Sequence, residues 1–520
     1  MAANGVTEPY ILAVDVGTTS LKCQVYNQKA EIVGKCSEKV QKIFPQRGYV
    51  EIEPDILWEQ FTAIVKSCIE DSKLSPDQIT AMGISTNRAT FITWNKETGK
   101  PYHNFISWND TRAANYCEGI NGSVSLKFLR VGAKMIHTVN RGRRWEAASS
   151  FAFSTQHVIL RLAWILENVP GLREDVNDGK VLFGCLDTWL VWKLTKGTIH
   201  ATDLSNISAT GLYDLFIGNW NNIHMSYLRI PNHILPEIRD TSDDYGCCEK
   251  DIFGAAIPIR GLIADQTAAI FGQCCFDEGD IKVSMGTGTF LSVNTHKPCV
   301  PGQGCWPLVA WRIGDDQMCT LECNDSDTCG VIDWGINMGF YKDVIETESI
   351  AESVEDSGGV CFVPSFSGLQ APYENNTACC SFMGLTPATT PAHMVRAIME
   401  SVAFRVRQLH DVLEERSKVK LKSVLKFDGG VSNNNFILNL ISRLLQKDID
   451  RPSNLDMSLL GAAFMAGLSA GVWKTKEELK ALRKTQKLIT PENQHEEDQE
   501  MLEDWGRAVQ RSLSWYAIGD

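Results

Sequence analysis

The sequence predicts an α/β protein built from two related domains. Three observations support this: the length of 520 residues, a composition that is 44% hydrophobic and 22% charged, and one strand–turn–strand pattern that occurs twice. A chain of this length is too long for a single hydrophobic core, and its composition is that of an ordinary globular protein. We therefore expect two or more globular domains.

The first copy of the pattern lies near the start of the chain. Apolar residues 10–14 predict a strand, a turn rich in Gly, Thr and Ser follows, and residues 21–26 predict a second strand. Further on, residues 58–70 have helical periodicity and residues 79–84 predict another strand. This half therefore mixes strands with helices.

The second copy begins near residue 277. It consists of a predicted strand at 281–285, a Gly-Thr-Gly-Thr turn and a returning strand at 290–294. Helices are predicted at 391–415 and 434–446. This weak internal repeat favours two related α/β domains that face each other.

The domain limits follow from this repeat. We expect an N-terminal domain at 10–275 and a C-terminal domain at 276–475. Residues 457–473 are uncharged, but this stretch is shorter than the about 20 residues of a membrane span. Its many Gly and Ala residues predict a tightly packed core helix instead. Residues 476–520 are charged and polar, and we expect a partly helical, solvated tail.

Charge and cysteine content exclude several classes of protein. The net charge of −13 argues against a general nucleic-acid binder. The 17 cysteines are odd in number and scattered, and the first nine residues lack a secretory signal, so we expect reduced thiols in a cytoplasmic protein. The nearest approach to a zinc cluster is Cys319, Cys323 and Cys329, without a CxxC pair or a companion histidine pair.

The first turn contains groups that suit a phosphate. In residues 15–20 (DVGTTS), the glycine allows a close turn, and the hydroxyls of Thr18, Thr19 and Ser20 add donors to the backbone N–H groups. Asp15, at the end of the strand, is placed to bind Mg²⁺. An ordinary hairpin turn capped by Asp15 explains the same residues equally well.

Two later Gly-rich turns have similar features. Residues 286–289 (GTGT) form a second hydroxyl-rich turn between strands. Residues 426–430 (KFDGG) run from an apolar strand into a Gly-Gly turn before a helix, whose N-terminal N–H groups can bind an anion. A plain strand–turn–helix with asparagine caps is the alternative for this last segment.

Asp265 is the candidate catalytic base. Residues 263–269 (IADQTAA) place an acid and an amide between an apolar strand and a helix rich in small residues. A kinase needs a carboxylate that accepts the proton of the attacking hydroxyl. The alternative is that Asp265 only caps the helix.

Together, these four segments resemble the FGGY carbohydrate kinases in their order and spacing, and within that family the glycerol kinases. The likeness extends from about residue 10 to about residue 473. Further matching segments are residues 183–195 (FGCLDTWLVWKLT), 368–373 (GLQAPY), 383–386 (MGLT) and 460–467 (LGAAFMAG).

The resemblance implies two actin-like (ribonuclease H-like) ATPase domains with the active site in the cleft between them. It places the polyol and one phosphate loop on the N-terminal domain and the adenosine on the C-terminal domain. It implies ATP-dependent phosphorylation of glycerol to sn-glycerol 3-phosphate with Mg²⁺, with Asp265 as general base. It assigns Arg88, Asp265 and Gln266 to the polyol and Asp15 and Asp265 to the metal. The residues it assigns to ATP are Thr18, Thr19, Ser20, Lys22, Thr287, Gly330, Gly430 and Asn434.

Several positions depart from the pattern of the glycerol kinases. Ala89 replaces a glutamate that would accept hydrogen bonds from a glycerol hydroxyl, and Gln156 aligns with a substrate tyrosine. A hydrogen bond to a charged group is worth about 1.5–3 kcal/mol, so the loss of that glutamate would weaken glycerol binding roughly 10- to 100-fold. Lys22 replaces an arginine and retains the charge. The remaining departures are Asp333 for a glutamine and Glu374-Asn375 for Trp-Asp.

Two other functions stay open beside glycerol phosphorylation. The first is a kinase for another small polyol or sugar, which the departures at positions 89 and 156 favour. The second is a weakly catalytic nucleotide-binding regulatory protein, which would have less need of Asp15 and Asp265. The resemblance also makes a homodimer or homotetramer plausible, and we expect no nucleic-acid partner and no membrane span.

Overall fold

The computed structural model describes residues 8–302, 304–494 and 496–516. The chain folds into two compact units. The first contains the chain up to Cys274 together with Leu308–Cys319 and Ser458–Arg483. The second contains Cys275–Pro307, Thr320–Met457 and the chain from Lys484 onward.

The strands are numbered in chain order. They are β1 (Tyr10–Val16), β2 (Ser20–Tyr26), β3 (Ile32–Lys39), β4 (Glu51–Ile52), β5 (Ile79–Thr86), β6 (Phe91–Asn95), β7 (Phe105–Ile106), β8 (Val181–Cys185), β9 (Ala201–Asp203), β10 (Tyr213–Asp214), β11 (Asn219–Trp220), β12 (Glu237–Arg239), β13 (Ile259–Ala264), β14 (Ile281–Met285), β15 (Thr289–Asn294), β16 (Trp306–Ile313), β17 (Asp316–Asp325), β18 (Cys361–Val363), β19 (Ser381–Met383), β20 (Val424–Asp428), β21 (Asp448–Pro452) and β22 (Thr485–Ile489).

The α-helices follow the same convention. They are α1 (Pro54–Ser72), α2 (Ala114–Gly122), α3 (Val124–Asn140), α4 (Arg143–Ser150), α5 (Val158–Asn168), α6 (Leu172–Asn177), α7 (Leu186–Leu194), α8 (Leu204–Ser208), α9 (Asn222–Tyr227), α10 (Lys250–Phe253), α11 (Asp265–Gly272), α12 (Thr328–Asn337), α13 (Glu346–Glu352), α14 (Pro391–Ser417), α15 (Asn435–Leu445), α16 (Met457–Ser469), α17 (Lys476–Leu482) and α18 (Glu496–Ser512).

The main sheet of the first unit has the strand order β13-β5-β1-β2-β3. Strands β1, β2 and β3 form an antiparallel meander, whereas β5 and β13 extend the sheet in parallel with β1. Helix α1 covers one side through buried side chains such as Leu57, Phe61 and Val65. The carboxyl ends of β1, β5 and β13 therefore meet at one edge of the sheet.

The sheet of the second unit repeats this order. Its central strands run β17-β15-β14-β20-β21, with β14, β15 and β17 antiparallel and with β20 and β21 parallel to β14. Helix α14 packs on it through buried residues such as Ile398, Val402 and Leu409. Two sheets with one topology confirm the predicted pair of related α/β domains.

Most predicted elements are present, with small shifts at their ends. The strand at residues 281–285 is confirmed, and β1 and β5 each extend two residues beyond the prediction. The helix predicted to start at residue 434 begins at Asn435, because the Asn434 side chain accepts a hydrogen bond from Ile437 N and so caps the helix.

The uncharged stretch near residue 460 is a packed core helix, as predicted. In α16, a Cβ on Gly461 would lie 1.9 Å from the backbone oxygen of Ala268. A Cβ on Gly83 of β5 would lie 2.1 Å from Ala462 O, so only glycine permits this close approach of helix and sheet. Among the described residues, no helix has the length and apolar character required to cross a membrane.

The expectation that the C-terminal tail is only solvated surface is wrong. Strand β22 pairs with β21 at the edge of the second sheet. Trp505 and Val509 of α18 are buried, and Trp505 Nε1 donates a hydrogen bond of 2.8 Å to Phe362 O. The tail is charged because α18 is amphipathic, and its few apolar residues share the buried face.

Candidate active site

Three of the predicted site residues lie at the edge where the parallel strands of the first sheet end. Asp15 is the penultimate residue of β1, Arg88 lies two residues after β5, and Asp265 directly follows β13. In α/β sheets, the carboxyl ends of parallel strands are the usual place for a ligand. The topology thus brings together residues that are up to 250 positions apart in the sequence.

The Asp15 carboxylate is held by two serines. Ser85 Oγ donates to Asp15 Oδ1 at 2.7 Å, and Ser458 Oγ donates to Asp15 Oδ2 at 2.8 Å. Lys22 is its cross-strand neighbour in the β1–β2 hairpin. Burial and the negative charge of Asp265 nevertheless raise the pKa of Asp15 to about 6, despite the opposing effects of the serines and Lys22.

Asp265 and Arg88 face each other across the same edge. Arg88 Nε lies 4.0 Å from Asp265 Oδ1, and the two side chains are only 11% and 22% exposed. Asp265 is the first residue of α11, and its Oδ1 accepts a hydrogen bond of 2.7 Å from Gln266 N. Ala264, rather than Asp265, occupies the N-cap position, so capping does not explain the acid at this position.

The first Gly/Thr turn is a tight β1–β2 connection. Gly17 N donates to Ser20 O at 3.0 Å, and Val40 N donates to Thr19 O at the same distance. The Thr19 side chain is exposed, while Thr18 Oγ1 accepts a hydrogen bond of 2.9 Å from Trp108 Nε1. The structure therefore combines a hairpin turn with a row of hydroxyls beside Asp15.

The buried Arg161 joins Ala89 and Gln156, the two positions that the sequence predicts to depart from the glycerol kinases at the acceptor. Arg161 Nη2 donates to Ala89 O at 2.8 Å and to Gln156 O at 2.9 Å, and Nη1 donates to Ser107 O. Burial lowers the pKa of Arg161 to about 10. Ala89 is buried with a φ of 60°, which places this small side chain in the left-handed region of backbone conformation.

In the second unit, the Gly-Thr-Gly-Thr turn lies beside the first turn of α12. Cys329 N donates a hydrogen bond of 3.2 Å to Thr287 O, and the side chain of Thr287 is exposed. Gly330 is also exposed, and a Cβ there would meet no atom within 4 Å. The space in front of Gly330 is thus open to a ligand, and Asp333, one turn further along α12, is exposed as well.

Gly430 and Asn434 lie around the end of β20 in the second unit. Gly430 is exposed, and a Cβ there would also meet no atom within 4 Å. The side chain of Asn434 is engaged in the fold: it caps α15, and its Nδ2 donates to Thr347 Oγ1 at 3.0 Å. Of the two, Gly430 is the more accessible to a nucleotide.

The cysteines considered as zinc ligands do not come together. The Cys329 thiol donates to Asp333 Oδ2 at 3.6 Å, whereas the Cys323 thiol donates to Leu409 O at 3.5 Å. Within the described ranges, no cluster of three metal-ligating side chains includes Cys319, Cys323 or Cys329.

The pair of Asp15 and Asp265 fits a divalent cation better. Burial and the charge of Asp265 raise the pKa of Asp15, so a cation bound between the two carboxylates would stabilise the ionised form of Asp15. Hard cations such as Mg²⁺ prefer carboxylate and water oxygens. These two residues are therefore the candidates for holding the metal of a Mg·ATP complex.

Sequence reasoning did not identify four residues that support the site: Ser85, Trp108, Arg161 and Ser458. Ser85 directly follows a predicted strand, and its polar side chain there was a usable signal, whereas Trp108 lies outside the predicted elements. Arg161 lies inside an apolar helix, where a lone arginine requires buried partners. For Ser458, no local pattern indicates that it contacts Asp15.

Comparison with known proteins identifies the family of this chain. The FGGY family of carbohydrate kinases, N-terminal domain, matches residues 10–272, and the C-terminal domain of that family matches residues 281–470. A glycerol kinase 5 of Danio rerio is 50% identical over 516 residues, which cover 98% of this chain and 97% of that protein. A glycerol kinase 5 of Homo sapiens is 45% identical over 508 residues, covering 98% and 96%.

A solved structure shows the same fold. The crystal structure of Plasmodium falciparum glycerol kinase with ADP matches with a TM-score of 0.86 and 28% sequence identity, covering 97% of this chain and 98% of that one. Both domains of the family are matched in order, and relatives at 45–50% identity extend over nearly the whole sequence. The chain therefore belongs to the FGGY family of carbohydrate kinases.

Proposed function

We propose that this protein is an ATP-dependent glycerol kinase, which converts glycerol to sn-glycerol 3-phosphate. Similarity over nearly the full length to proteins named glycerol kinase supports this assignment. The observation that carries it is the approach of Arg88 to Asp265 beside Asp15, at the carboxyl ends of three parallel strands.

Asp265 acts as the general base in this proposal. The terminal hydroxyl oxygen of the acceptor attacks the γ-phosphorus of ATP and forms a new O–P bond. The bond between the γ-phosphorus and the β,γ-bridging oxygen breaks, ADP leaves, and the hydroxyl proton passes to the Asp265 carboxylate. Arg88 and Gln266 bind the acceptor hydroxyls, and Arg88 Nε lies 4.0 Å from Asp265 Oδ1.

Positioning accounts for the rest of the catalysis. Asp15 and Asp265 would hold Mg²⁺, which offsets phosphate charge when it is bound. The hairpin hydroxyls and Lys22 orient the phosphates, and the open faces at Gly330 and Gly430 leave room for the adenosine. The proposed ATP contacts are Thr18, Thr19, Ser20, Lys22, Thr287, Gly330, Gly430 and Asn434.

A kinase for another small polyol or sugar is the second candidate. Ala89 offers no carboxylate to an acceptor hydroxyl, and its backbone is fixed by Arg161 together with that of Gln156. In this alternative, these two positions line the acceptor pocket, and their side chains differ chemically from those of the glycerol kinases. The retained Asp15 and Asp265 support phosphoryl transfer with either acceptor.

A panel assay tests the proposal. The purified chain is incubated with Mg²⁺, γ-labelled ATP and a series of acceptors that includes glycerol, longer polyols and small sugars. Formation of labelled glycerol 3-phosphate as the preferred product supports glycerol kinase. Preference for a different acceptor would replace glycerol by that substrate, and ATP binding without acceptor-dependent turnover would indicate a regulatory nucleotide-binding protein.

A further inference from the structure

The solvent-exposed side of helix α3 carries an apolar stripe. Its residues lie four, three, four and four positions apart, which places them on one side of a helix with 3.6 residues per turn. All of them are exposed, Phe128 at 72% and Val139 at 88%. The stripe consists of Val124, Phe128, Val131, Met135 and Val139.

The opposite side of α3 is fixed to the first unit. Leu126 and Ala133 are buried, and Ser123 caps the helix by accepting a hydrogen bond of 3.2 Å from Leu126 N. Arg130 Nε donates to Phe151 O at 2.7 Å. The helix is therefore anchored in one orientation, and the stripe points away from the body of the unit. Large exposed apolar patches of this kind mark interaction sites.

The charge around this stripe is opposite to that of the whole protein. Residues 119–145 contain six Lys or Arg residues and no Asp or Glu, in a chain with a net charge of −13. Arg130 and Arg144 are engaged with Phe151 O and Asp214. The other four are exposed and, among the described residues, take part in no ion pair: Lys127, Lys134, Arg141 and Arg143.

Two of these cations border the apolar stripe directly. Lys127 and Lys134 are seven residues apart, so both lie on the same flank of α3, next to Val131 and Met135. Leu129 and Ile136, also exposed, extend the apolar surface on the other flank. A helix with a broad apolar face and a basic border has the character of helices that lie in the interface of a membrane.

We propose that α3 docks this protein on an anionic phospholipid surface, lying flat with its apolar stripe among the acyl chains. The 17 residues of α3 span about 25 Å, enough for one continuous contact along the surface. The lysine stems extend over the apolar boundary while their ammonium groups reach lipid phosphates. A second copy of the chain fits this surface less well, because two such basic faces would repel each other.

Vesicle binding tests the proposal with the full-length protein. The chain is sedimented with vesicles of phosphatidylcholine alone or with added phosphatidylserine, at low and high salt. We expect binding only with phosphatidylserine, and weaker binding as salt rises. Lys127→Gln with Lys134→Gln should weaken binding by about 30-fold. Phe128→Ser with Met135→Ser should weaken it by at least about 10-fold.

Matched substitutions at other exposed positions serve as controls. Lys96→Gln with Lys100→Gln removes two exposed lysines, and Ile217→Ser with Ile345→Ser removes two exposed apolar side chains. Both control variants should bind vesicles like the unmodified chain. Kinase turnover of all variants in solution reports their folding, so failure of lipid binding and failure of the proposed kinase activity are distinguishable.

Three results would overturn the proposal. One is the absence of binding to phosphatidylserine vesicles by a turnover-competent protein. Another is equal binding by the α3 variants and their controls. The third is a concentration-dependent dimer in solution that Phe128→Ser with Met135→Ser dissociates while vesicles bind nothing, which would assign the stripe to a second copy of the chain.

Discussion

Ser458 Oγ donates a hydrogen bond of 2.8 Å to Asp15 Oδ2, although 443 positions separate the two residues in the sequence. The other carboxylate oxygen of Asp15 accepts from Ser85 at 2.7 Å. Two hydroxyls from different elements thus fix the orientation of this carboxylate. Helix α16, which carries Ser458, is therefore a support of the candidate site as well as part of the core.

Ser458→Ala should weaken catalysis with little effect on the fold. The hydrogen bond is made to a charged group, so its loss frees the Asp15 carboxylate to rotate and should lower kcat/KM for Mg·ATP by about 10-fold. Steady-state kinetics with varied Mg·ATP measure the effect.

Ser469→Ala is the matched control for this substitution. Ser469 is an exposed serine at the C-terminal end of α16, whereas Ser458, which contacts Asp15, lies at the N-terminal end. Its kcat/KM should equal that of the unmodified protein. If both variants lose activity equally, the effect comes from α16 itself, and the contact with Asp15 has no special role.

Asp265→Asn should abolish most turnover but leave the protein folded. The amide retains the shape of the side chain and cannot accept the hydroxyl proton, and general base catalysis contributes roughly 10²- to 10⁴-fold. We expect a loss of that size in kcat, measured by product formation. ATP should still raise the melting temperature, because the proposed adenosine contacts are unchanged.

Asp315→Asn provides the comparison for Asp265→Asn. Asp315 is exposed in the β16–β17 turn, so this variant should retain normal kcat. Near-normal turnover of Asp265→Asn would show that another group accepts the proton.

Ala89→Glu should improve the use of glycerol. A glutamate at this position can accept hydrogen bonds from glycerol hydroxyls, and the existing left-handed backbone at Ala89 is kept in place by Arg161. We expect kcat/KM for glycerol to rise by roughly 10-fold, mainly through KM. Competition between glycerol and other polyols in one assay also reports the change in preference.

Ala89→Gln separates charge from size at this position. Glutamine has nearly the same volume but no negative charge, so it should give a much smaller gain. Equal kinetics for both variants and the unmodified protein would mean that residue 89 does not contact the acceptor.

Stability should depend on pH through Asp187, a buried residue in the first turn of α7. Thr202 Oγ1 donates to Asp187 Oδ2 at 2.6 Å, but burial and the nearby charge of Asp203 raise the pKa of Asp187 from 3.8 to about 7. The folded state then binds more protons than the unfolded state between these two values. The free energy of unfolding therefore falls as pH rises from about 4 to about 7.

Asp187→Asn replaces the ionisable carboxyl group by an amide and should make the free energy of unfolding less dependent on pH. Between pH 5 and pH 8, the unmodified protein should lose on the order of 2 kcal/mol relative to the variant. Urea unfolding at a series of pH values measures the difference. Asp77→Asn, at an exposed position, serves as control and should show the same pH dependence as the unmodified protein. If Asp187→Asn also shows that pH dependence, Asp187 is not its cause.

The turns and strand ends of the candidate site could be predicted because their sequence signals are local. The Asp15–Ser20 turn, the Thr287 turn and the placement of Asp265 after a strand depend on neighbouring residues, and each has a recognisable pattern of apolar residues, glycines and hydroxyls. The roles of these residues stay predictions, as do the domain limits at 275 and 475. The two sheets confirm the predicted repeat, because each hairpin pattern forms two neighbouring strands in its own sheet.

Contacts between distant segments could not be predicted in the same way. Arg161 is the only charged residue in the first two turns of α5, and its sequence position does not indicate which carbonyls it binds. Its partners, Ala89 O and Gln156 O, come from two loops whose paths depend on the packing of the whole unit. The buried face of the C-terminal tail was missed for a similar reason, since its apolar residues are few and widely spaced.

The sequence by itself determined the α/β class, the repeated hairpins and the family, while the residues that it assigns to phosphate and acceptor stay predictions. Only the tertiary structure decided that Ser458 holds Asp15 and that Arg161 joins Ala89 to Gln156. The physical reason is that local patterns depend on backbone preferences within a few residues. Long-range hydrogen bonds depend on how elements pack. Here the absence of a side chain at Gly83 and at Gly461 allows α16 to lie close to β5 and to α11.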